Sequence, residues 1–346
     1  MNDARTITIV GGGLAGLTLG IALRRRAVPV KIWEAGHYPR HRVCGEFISG
    51  QGRAILNGLD LATLLVEAGA REASTMAFFT SKTAGAVRTL PEPALCVSRH
   101  ALDAALARCF RDRGGELREG ERWPESMNHA GLVQATGRRV QAGANGWRWF
   151  GLKAHVHNVE LAADLEMHLL PNGYVGLCQL DKGLINVCGL FRRHRAAGLL
   201  PSRTDMLRGP AGSRLHQRLA NAAFVPDSVC AVGGLDLRPK LHPAAGECRI
   251  GDALTMIPPF TGNGMSMAIE SAELAAEPLE RWSRRDLSWT DACRVVAENC
   301  RRLFRPRLSW ANRMHPLLMS HLLQPVAVGG LFNMKPCLNF LFRRTR

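Results

Sequence analysis

A chain of 346 residues, 46% hydrophobic and 21% charged, is a globular composition that can bury a large core and favours two lobes over one. Its formal net charge of +16 points to an acidic partner or surface, but no nucleic-acid-binding module or interleaved aromatic pattern accompanies it. Nucleic acid is therefore set aside in favour of an anionic membrane face, an acidic carrier or an anionic small molecule.

The first residues lead straight into the strand Ile7-Thr8-Ile9-Val10, so no signal peptide is expected, and no uncharged apolar window is long enough for a membrane span. A cytoplasmic protein is expected. The ten cysteines form no Cys-x-x-Cys pair and no Cys/His cluster at metal spacing, and they read as reduced packing residues, with Cys44 as the exception. The first strand ends in Gly11-Gly12-Gly13-Leu14-Ala15-Gly16, and an apolar helix over 17–23 follows. Gly11 allows the turn, Gly13 lets the backbone approach a pyrophosphate, and Gly16 lets the helix pack on the strand, while free N–H groups at the helix start face the anion. A second strand over 30–33 ends in Glu34, whose carboxylate is placed to accept both hydroxyls of an adenosine ribose. A free ribose rather than a 2′-phosphate means FAD or NAD rather than NADP.

Further along, the basic loop Pro39 to Ser49 crosses the cofactor face, where Arg42 can hold a phosphate or ring carbonyl and Cys44 can lie near the redox centre. Residues 55–70 have helical periodicity, and 75–90 alternate as one or two strands ending at Pro91, where a second lobe begins. Ser98 caps a helix running to Arg111 that places Arg99 at its start, within reach of the cofactor. The strand 132–134 ends in Ala135-Thr136-Gly137, a small turn that lets the backbone close over a dinucleotide. Strands over 149–154, 161–170, 174–180 and 184–190, with Asn172-Gly173 and Lys182-Gly183 as hairpin turns, read as the antiparallel wall of a substrate lobe. His155 lies on the first of them beside Lys153, a candidate acid, base or anion contact, or a half-buried structural histidine. Residues 199–226 read as mostly helical. A buried strand then ends in Gly251-Asp252, and Pro258-Pro259-Phe260-Thr261-Gly262-Asn263-Gly264-Met265 feeds a helix to about 282. Asp252 can accept a ribityl hydroxyl, and the helix start aims N–H groups at whatever lies above it. From 301 to 346 no acidic residue occurs and arginines recur among Leu, Phe and Trp. Such a tail lies on an anionic bilayer or packs as a terminal helix on the nucleotide lobe, the second being favoured.

The Gly11 turn, the Arg42 to Glu46 loop, Ser98-Arg99 with Asp103, Ala135-Thr136-Gly137 and Gly251-Asp252 occur in order. With them the chain resembles the FAD-dependent oxidoreductases of the p-hydroxybenzoate hydroxylase and geranylgeranyl reductase superfamily, from position 7 to about 285. The resemblance implies an α/β fold with a doubly wound, Rossmann-like FAD domain, an inserted antiparallel substrate domain and a C-terminal helical segment. The expected boundaries are 1–74, 96–146 and 236–285 for FAD, 75–95 and 147–235 for substrate, and 286–346 for the basic helical segment. It implies Gly11, Gly13 and Gly16 on the pyrophosphate, Glu34 on the ribose, and Arg42, Arg99, Gly137 and Gly251 around the cofactor. Asp252 would meet the ribityl chain, with Pro259, Gly262, Asn263, Gly264 and Met265 at the isoalloxazine and Cys44, Pro259, Asn263 and His155 as candidate catalytic groups.

Hydroxylases of the group carry an Asp-Gly turn that serves FAD and NAD(P)H together, for which Ala135-Thr136-Gly137 and the weaker Asn145-Gly146 are the nearest matches. The Pro-Phe-Thr-Gly-Asn-Gly and Cys44-Gly45 turns stand closer to the reductase branch, although Gly173-Tyr174-Val175-Gly176-Leu177 replaces that branch's aromatic and lysine pattern. Halogenase-like relatives carry Trp-x-Trp-x-Ile-Pro, and Trp147-Arg148-Trp149-Phe150-Gly151 lacks its ending. The leading expectation is an FAD-dependent monooxygenase of secondary metabolism, drawing on NADH or NADPH and acting on a hydrophobic or carrier-bound small molecule. The alternatives are a reductase of a carbon–carbon double bond in a lipid, prenyl or polyketide chain, and a membrane- or carrier-binding flavoprotein without turnover.

Overall fold

The computed structural model describes residues 4–124, 127, 129–138, 146–194, 196, 198 and 201–345, with Leu331 described in its backbone alone. Asn145, the second candidate for the Asp-Gly turn, and residues 199 and 200 of the helical stretch lie outside the described residues.

The β-branched run Ile7–Val10 forms the centre of a five-stranded parallel sheet, with Ile7 and Ile9 buried on one face and Thr8 on the other, as a strand covered on both sides requires. Val30–Glu34 and Leu132–Gln134 flank it, and Glu116–Glu119 and Cys248–Arg249 are the edges. The Leu14–Arg25 helix packs against the sheet, the Arg99–Asp112 helix and the Gly264–Ser283 helix, which leaves all but its last turn buried. Ser98 caps the Arg99–Asp112 helix by accepting from the His100 N–H. Beyond the Gly264–Ser283 helix lies the Trp289–Met319 helix, and the two are joined through the buried pair Arg307 and Glu270 at 2.5 Å.

The second sheet has nine strands, ordered Ala223–Phe224, Trp147–His157, Ile185–His194, Gly173–Gln179, Leu165–Leu170, Arg71–Phe79, Arg88–Cys96 and Phe47–Ile48, with Cys230–Gly233 also on Trp147–His157. Its neighbours are antiparallel except Arg71–Phe79, which runs parallel to Leu165–Leu170. The hairpin at Lys182-Gly183 turns as its chemistry predicts, with both residues at positive φ, whereas the other turns one residue earlier than expected, at Pro171-Asn172, because Gly173 is already paired with Leu170. The sheet takes in more of the chain than 75–95 and 147–235. Phe47–Ile48 pairs with Cys96 and Leu95, and Arg71–Ala73 pairs with Cys96 to Ala94, so the loop that crosses the cofactor face is stitched to the substrate sheet. The expected strand end at Pro91 is also passed: Arg88–Cys96 carries Pro91 and Pro93 where the register shifts, at positions that donate nothing to the ladder.

The stretch 199–226 holds two short helices, Arg203–Arg208 and Arg214–Arg218. The tail packs on both lobes rather than on the nucleotide lobe alone. Leu318, Met319, Val328 and Phe332 close a core with Leu169, Tyr174 and Leu190 of the second sheet, and Gln324 Nε2 donates to the Leu170 carbonyl at 3.0 Å. The Lys335–Thr345 helix then returns across the Trp289–Met319 helix and the Arg88–Cys96 strand.

Candidate active site

Between the two sheets lies a cavity of about 1420 Å³. A single ligand pocket usually spans up to ~1,000 Å³, so the volume admits an extended nucleotide and a second molecule. One end is glycine and charge: Gly11, Gly13, Glu34, Arg42, Gly137 and Asp252 line it. The other is apolar, walled by Met76, Phe78, Met167, Leu341 and Phe342 among others.

At the polar end Gly11 adopts φ +109°, a conformation that L side chains rarely adopt, and a Cβ there would overlap the Ala135 carbonyl. A Cβ on Gly16 would strike the Gly11 carbonyl. Gly13 differs: nothing lies within 4 Å of a Cβ placed on it, and as N-cap of the Leu14–Arg25 helix it makes no side-chain cap. The helix start is an open cradle of N–H groups, which fits the pyrophosphate of FAD. Glu34 accepts from the N–H groups of Gly12 and Gly36, each at 2.9 Å, and pairs with Arg40 and, at 3.4 Å, with Arg42. Asp103, fully buried, takes both the Arg99 Nε and Nη2 at 2.7 Å and the Arg42 Nε at 3.1 Å. Burial opposes the Arg99 charge, and Asp103 more than restores it, so this guanidinium stays a cation beside the cavity. Arg138 lines the same end, close enough to Asp252 for its charge to be felt there.

Asp252 is accessible through the open cavity although protein surrounds it. The surrounding protein raises its carboxyl pKa against the pull of Arg138 and Arg99. The Pro259–Thr261 turn ends at Gly262 in the left-handed region, φ +68°, with Phe47 packed where a Cβ would go. Asn263 caps the Gly264–Ser283 helix through its backbone only, so the first N–H groups of that helix remain available, and Gly264 opens onto the cavity. The Asn263 side chain itself turns inward: it accepts from Ser49 Oγ at 2.7 Å and donates to the Thr345 carbonyl. Ser49 N–H in turn donates to Ser266 Oγ at 3.0 Å.

The Cys44-Gly45-Glu46 turn forms part of the wall. Asn186 Nδ2 fixes it by donating to the Cys44 carbonyl at 2.9 Å. Burial raises the Cys44 thiol pKa although Arg99 and the Glu46 N–H work the other way, so the sulfur keeps its proton near neutrality. Glu46, at φ +60° and fully buried, accepts from the Arg99 N–H at 2.9 Å, from Lys153 Nζ at 3.4 Å and pairs with His155 Nε2 at 2.6 Å. Burial alone would raise its pKa, and His155 and Lys153 outweigh it, leaving the carboxyl below its ordinary value. Lys153 Nζ also meets His41 Nδ1 at 3.0 Å, and the His41 ring stacks on His100 at 4.4 Å. Burial, then Lys153 and His100, hold the His41 pKa down at about 4.

The cavity thus brings together Gly11, Gly13, Glu34, Arg42, Cys44, Arg99, Gly137, Asp252, Pro259, Gly262, Gly264 and Met265. Gly16 and Gly251 lie just behind this wall, Gly16 against Gly11 and Gly251 against Ala15. His155 and the side chain of Asn263 do not reach the cavity: one is hydrogen-bonded to Glu46 and the other joins the tail to the turn. The roles of Asp103, Glu46, Lys153 and Ser49 in holding the wall are absent from the sequence reading. A lone acid in an otherwise basic loop is the one sequence signal that could have found Glu46.

The scan against protein-family models found no match. Menaquinone reductase of Mycobacterium tuberculosis is 24% identical over 331 residues, covering 81% of this chain and 78% of that protein. Among solved structures, the flavin-dependent brominase Bmp2 aligns at TM-score 0.74 and 17% identity, over 99% of this chain and 93% of that one. A variant of the halogenase PltM in complex with FAD aligns at 0.75 and 13%, over 94% and 79%. PqsL of P. aeruginosa, in complex with 2-aminobenzoylacetate, aligns at 0.68 and 15%, over 93% and 99%. The chain therefore shares its fold with these flavin-dependent proteins, and the open helix start at Gly13, Glu34 and the Gly264 helix start lie within that fold.

Proposed function

We propose that the protein is an FAD-dependent oxidoreductase that reduces a carbon–carbon double bond in a long apolar, prenyl- or lipid-like molecule, with NADH or NADPH as the source of electrons. The observation that carries this reading is the Cys44 thiol, kept protonated at the wall of a cavity that runs on into an apolar arm. When bound, FAD supplies the hydride. Saturating an alkene also needs a proton, and Cys44 Sγ holds one at the cavity wall. Met76, Phe78, Met167 and Phe342 orient the chain and exclude water, while the Gly264–Ser283 helix start offers N–H groups to negative charge on the cofactor. The likeness to menaquinone reductase makes a prenylated quinone the first substrate to test.

Likeness in fold to a brominase and a halogenase favours oxidative chemistry as the second reading, hydroxylation above all, since the Trp147 to Gly151 stretch lacks the halogenase ending. Anaerobic mixing of the pre-reduced protein with a prenylated quinone separates the two. Recovery of oxidised flavin absorbance, with a product that stays heavier by two hydrogens after its ring is reoxidised to the quinone, supports reduction of the double bond, and a strict need for oxygen with oxygen incorporated in the product sinks it. Cys44→Ser should retain FAD and lower turnover by roughly 10²-fold, the usual weight of a general acid. Unchanged kinetics would confine Cys44 to packing.

A further inference from the structure

The end of the chain has two unlike faces. Its inward face closes the apolar arm of the cavity with Phe332, Leu338, Leu341 and Phe342. On its outward face stand Leu317, Leu322, Leu323, Val326, Met334 and Phe340, six of the ten large hydrophobic residues that are exposed among the described residues. Leu322 is 74% exposed and Val326 70%, values that a monomer in water rarely tolerates in a cluster. The elements that carry them pack on one another: Gln324–Gly329 meets Leu331–Asn333, which meets Lys335–Thr345, which returns to Trp289–Met319.

Charge decides what covers this face. No acidic residue occurs after Glu298, whereas Arg313, Lys335, Arg343 and Arg344 are exposed around the apolar residues. The Arg344 guanidinium lies 5.2 Å from the Phe340 ring centroid and 5.6 Å from that of Trp310, an apolar body with a cationic tip. A second copy meeting this face symmetrically would set basic groups against basic groups with no carboxylate in the segment to pair them. Anionic headgroups over an acyl layer match both parts, cations to phosphate and Leu, Val and Phe to the chains. Among the described residues no helix is long and apolar enough to cross a membrane, so the contact is with one leaflet.

We propose that residues 317–345 dock the protein on the surface of an anionic bilayer, with Leu322 and Val326 entering the acyl boundary and Lys335, Arg343 and Arg344 holding the headgroups. The same segment is the wall of the apolar arm, so a molecule dissolved in the bilayer meets the cavity without crossing water. That last clause rests on the apolar-substrate reading above; the docking does not.

The test is co-sedimentation of the full FAD-loaded chain with vesicles of phosphatidylcholine containing phosphatidylglycerol, and with vesicles of phosphatidylcholine alone. The wild-type chain should bind the anionic vesicles, release them as salt rises, and leave the neutral ones unbound. Leu322→Asp with Val326→Asp should weaken partitioning at least about tenfold, as should Lys335→Gln with Arg343→Gln, because each apolar or cationic group adds its own share. Both sets change exposed residues, and FAD content and melting temperature report that the fold is kept. Leu322→Ser serves where the double Asp variant fails that check. Absence of binding to anionic vesicles, equal binding by the variants, or a dimer that the double Asp variant dissociates would overturn the proposal. Turnover is not part of the readout, so a failed reductase assay leaves the docking standing, and failed docking leaves the assay untouched.

Discussion

Gly13 and Gly16 stand three residues apart in one turn and exclude side chains for opposite reasons. A Cβ on Gly16 meets the Gly11 carbonyl, so the exclusion there belongs to folding, whereas a Cβ on Gly13 meets no protein atom within 4 Å and projects into the cavity. Gly13→Val should therefore leave the circular dichroism and melting curve near wild type while FAD content falls to a small fraction, read from absorbance of the purified protein. Retention of full yellow colour would remove the pyrophosphate from this turn. Spacing alone made this pair legible, since a glycine fingerprint prescribes each position by its backbone task. The same logic fails for His155. A histidine alternating with Lys153 on a strand looks like an acid or base facing a ligand, and only the course of a loop 109 residues away shows that Glu46 sits opposite. Asn263 misleads in the same way, because a polar residue in a cofactor turn reads as a contact until Ser49 and Thr345 are seen to use it.

Among elements, those built from local pattern were legible and those built from long-range pairing were not. The strand, turn and helix at the amino end, the hairpins at Asn172 and Lys182, the capped helix after Ser98 and the helix from Gly264 all follow from neighbours a few residues apart. The pairing of Phe47–Ile48 with Leu95 and Cys96 joins segments nearly fifty residues apart, and no period announces it. Nor does a period announce that Arg88–Cys96 runs through two prolines, since the register shift that tolerates them is set by the opposing strand. The contact between the Gly264–Ser283 and Trp289–Met319 helices makes a further point at this scale. Glu270 and Arg307 are each nearly buried and 2.5 Å apart, and burial raises the Glu270 carboxyl pKa more than Arg307 can lower it. Arg307→Met alone should cost about 3 kcal/mol in urea unfolding, because an unpaired carboxylate is left between two helices, while Glu270→Leu with Arg307→Met should recover most of that loss. A double variant no more stable than Arg307→Met alone would show that the pair contributes net stability.

Over the whole molecule, the two-lobe plan follows from strand patterns and the glycine motifs, whereas the cavity, being the space left between two sheets, depends on side chains that no spacing rule aligns. The pH response of the fold is likewise a property of the assembled chain. His41 and His315 both have pKa values held down to about 4, His41 by burial, Lys153 and His100, and His315 by burial and Arg192. In the unfolded chain each takes up a proton near pH ~6.5, so between that value and about 4 the unfolded state binds more protons and stability falls as pH falls. From pH 7 to 5 the His315 contribution is on the order of 2 kcal/mol, and the half-exposed His41 gives less because solvent screens it. Glu46 acts lower: its depressed carboxyl stabilises above its unfolded value near ~4.3 and that share is lost only as pH drops through its folded value. Urea midpoints should decline from pH 7 to 5 in the wild type, and His41→Gln with His315→Gln should flatten that slope. An unaltered slope would place the titrating groups elsewhere.

The amide of Asn263 grips the main chain at Thr345, and its oxygen is held by Ser49 beside the cofactor loop. One side chain thus couples the roof of the oily compartment to the bend that begins the Gly264–Ser283 helix. Displacing that roof therefore strains the bend before the Gly264–Ser283 helix as well, so the two ends of the cavity do not move independently.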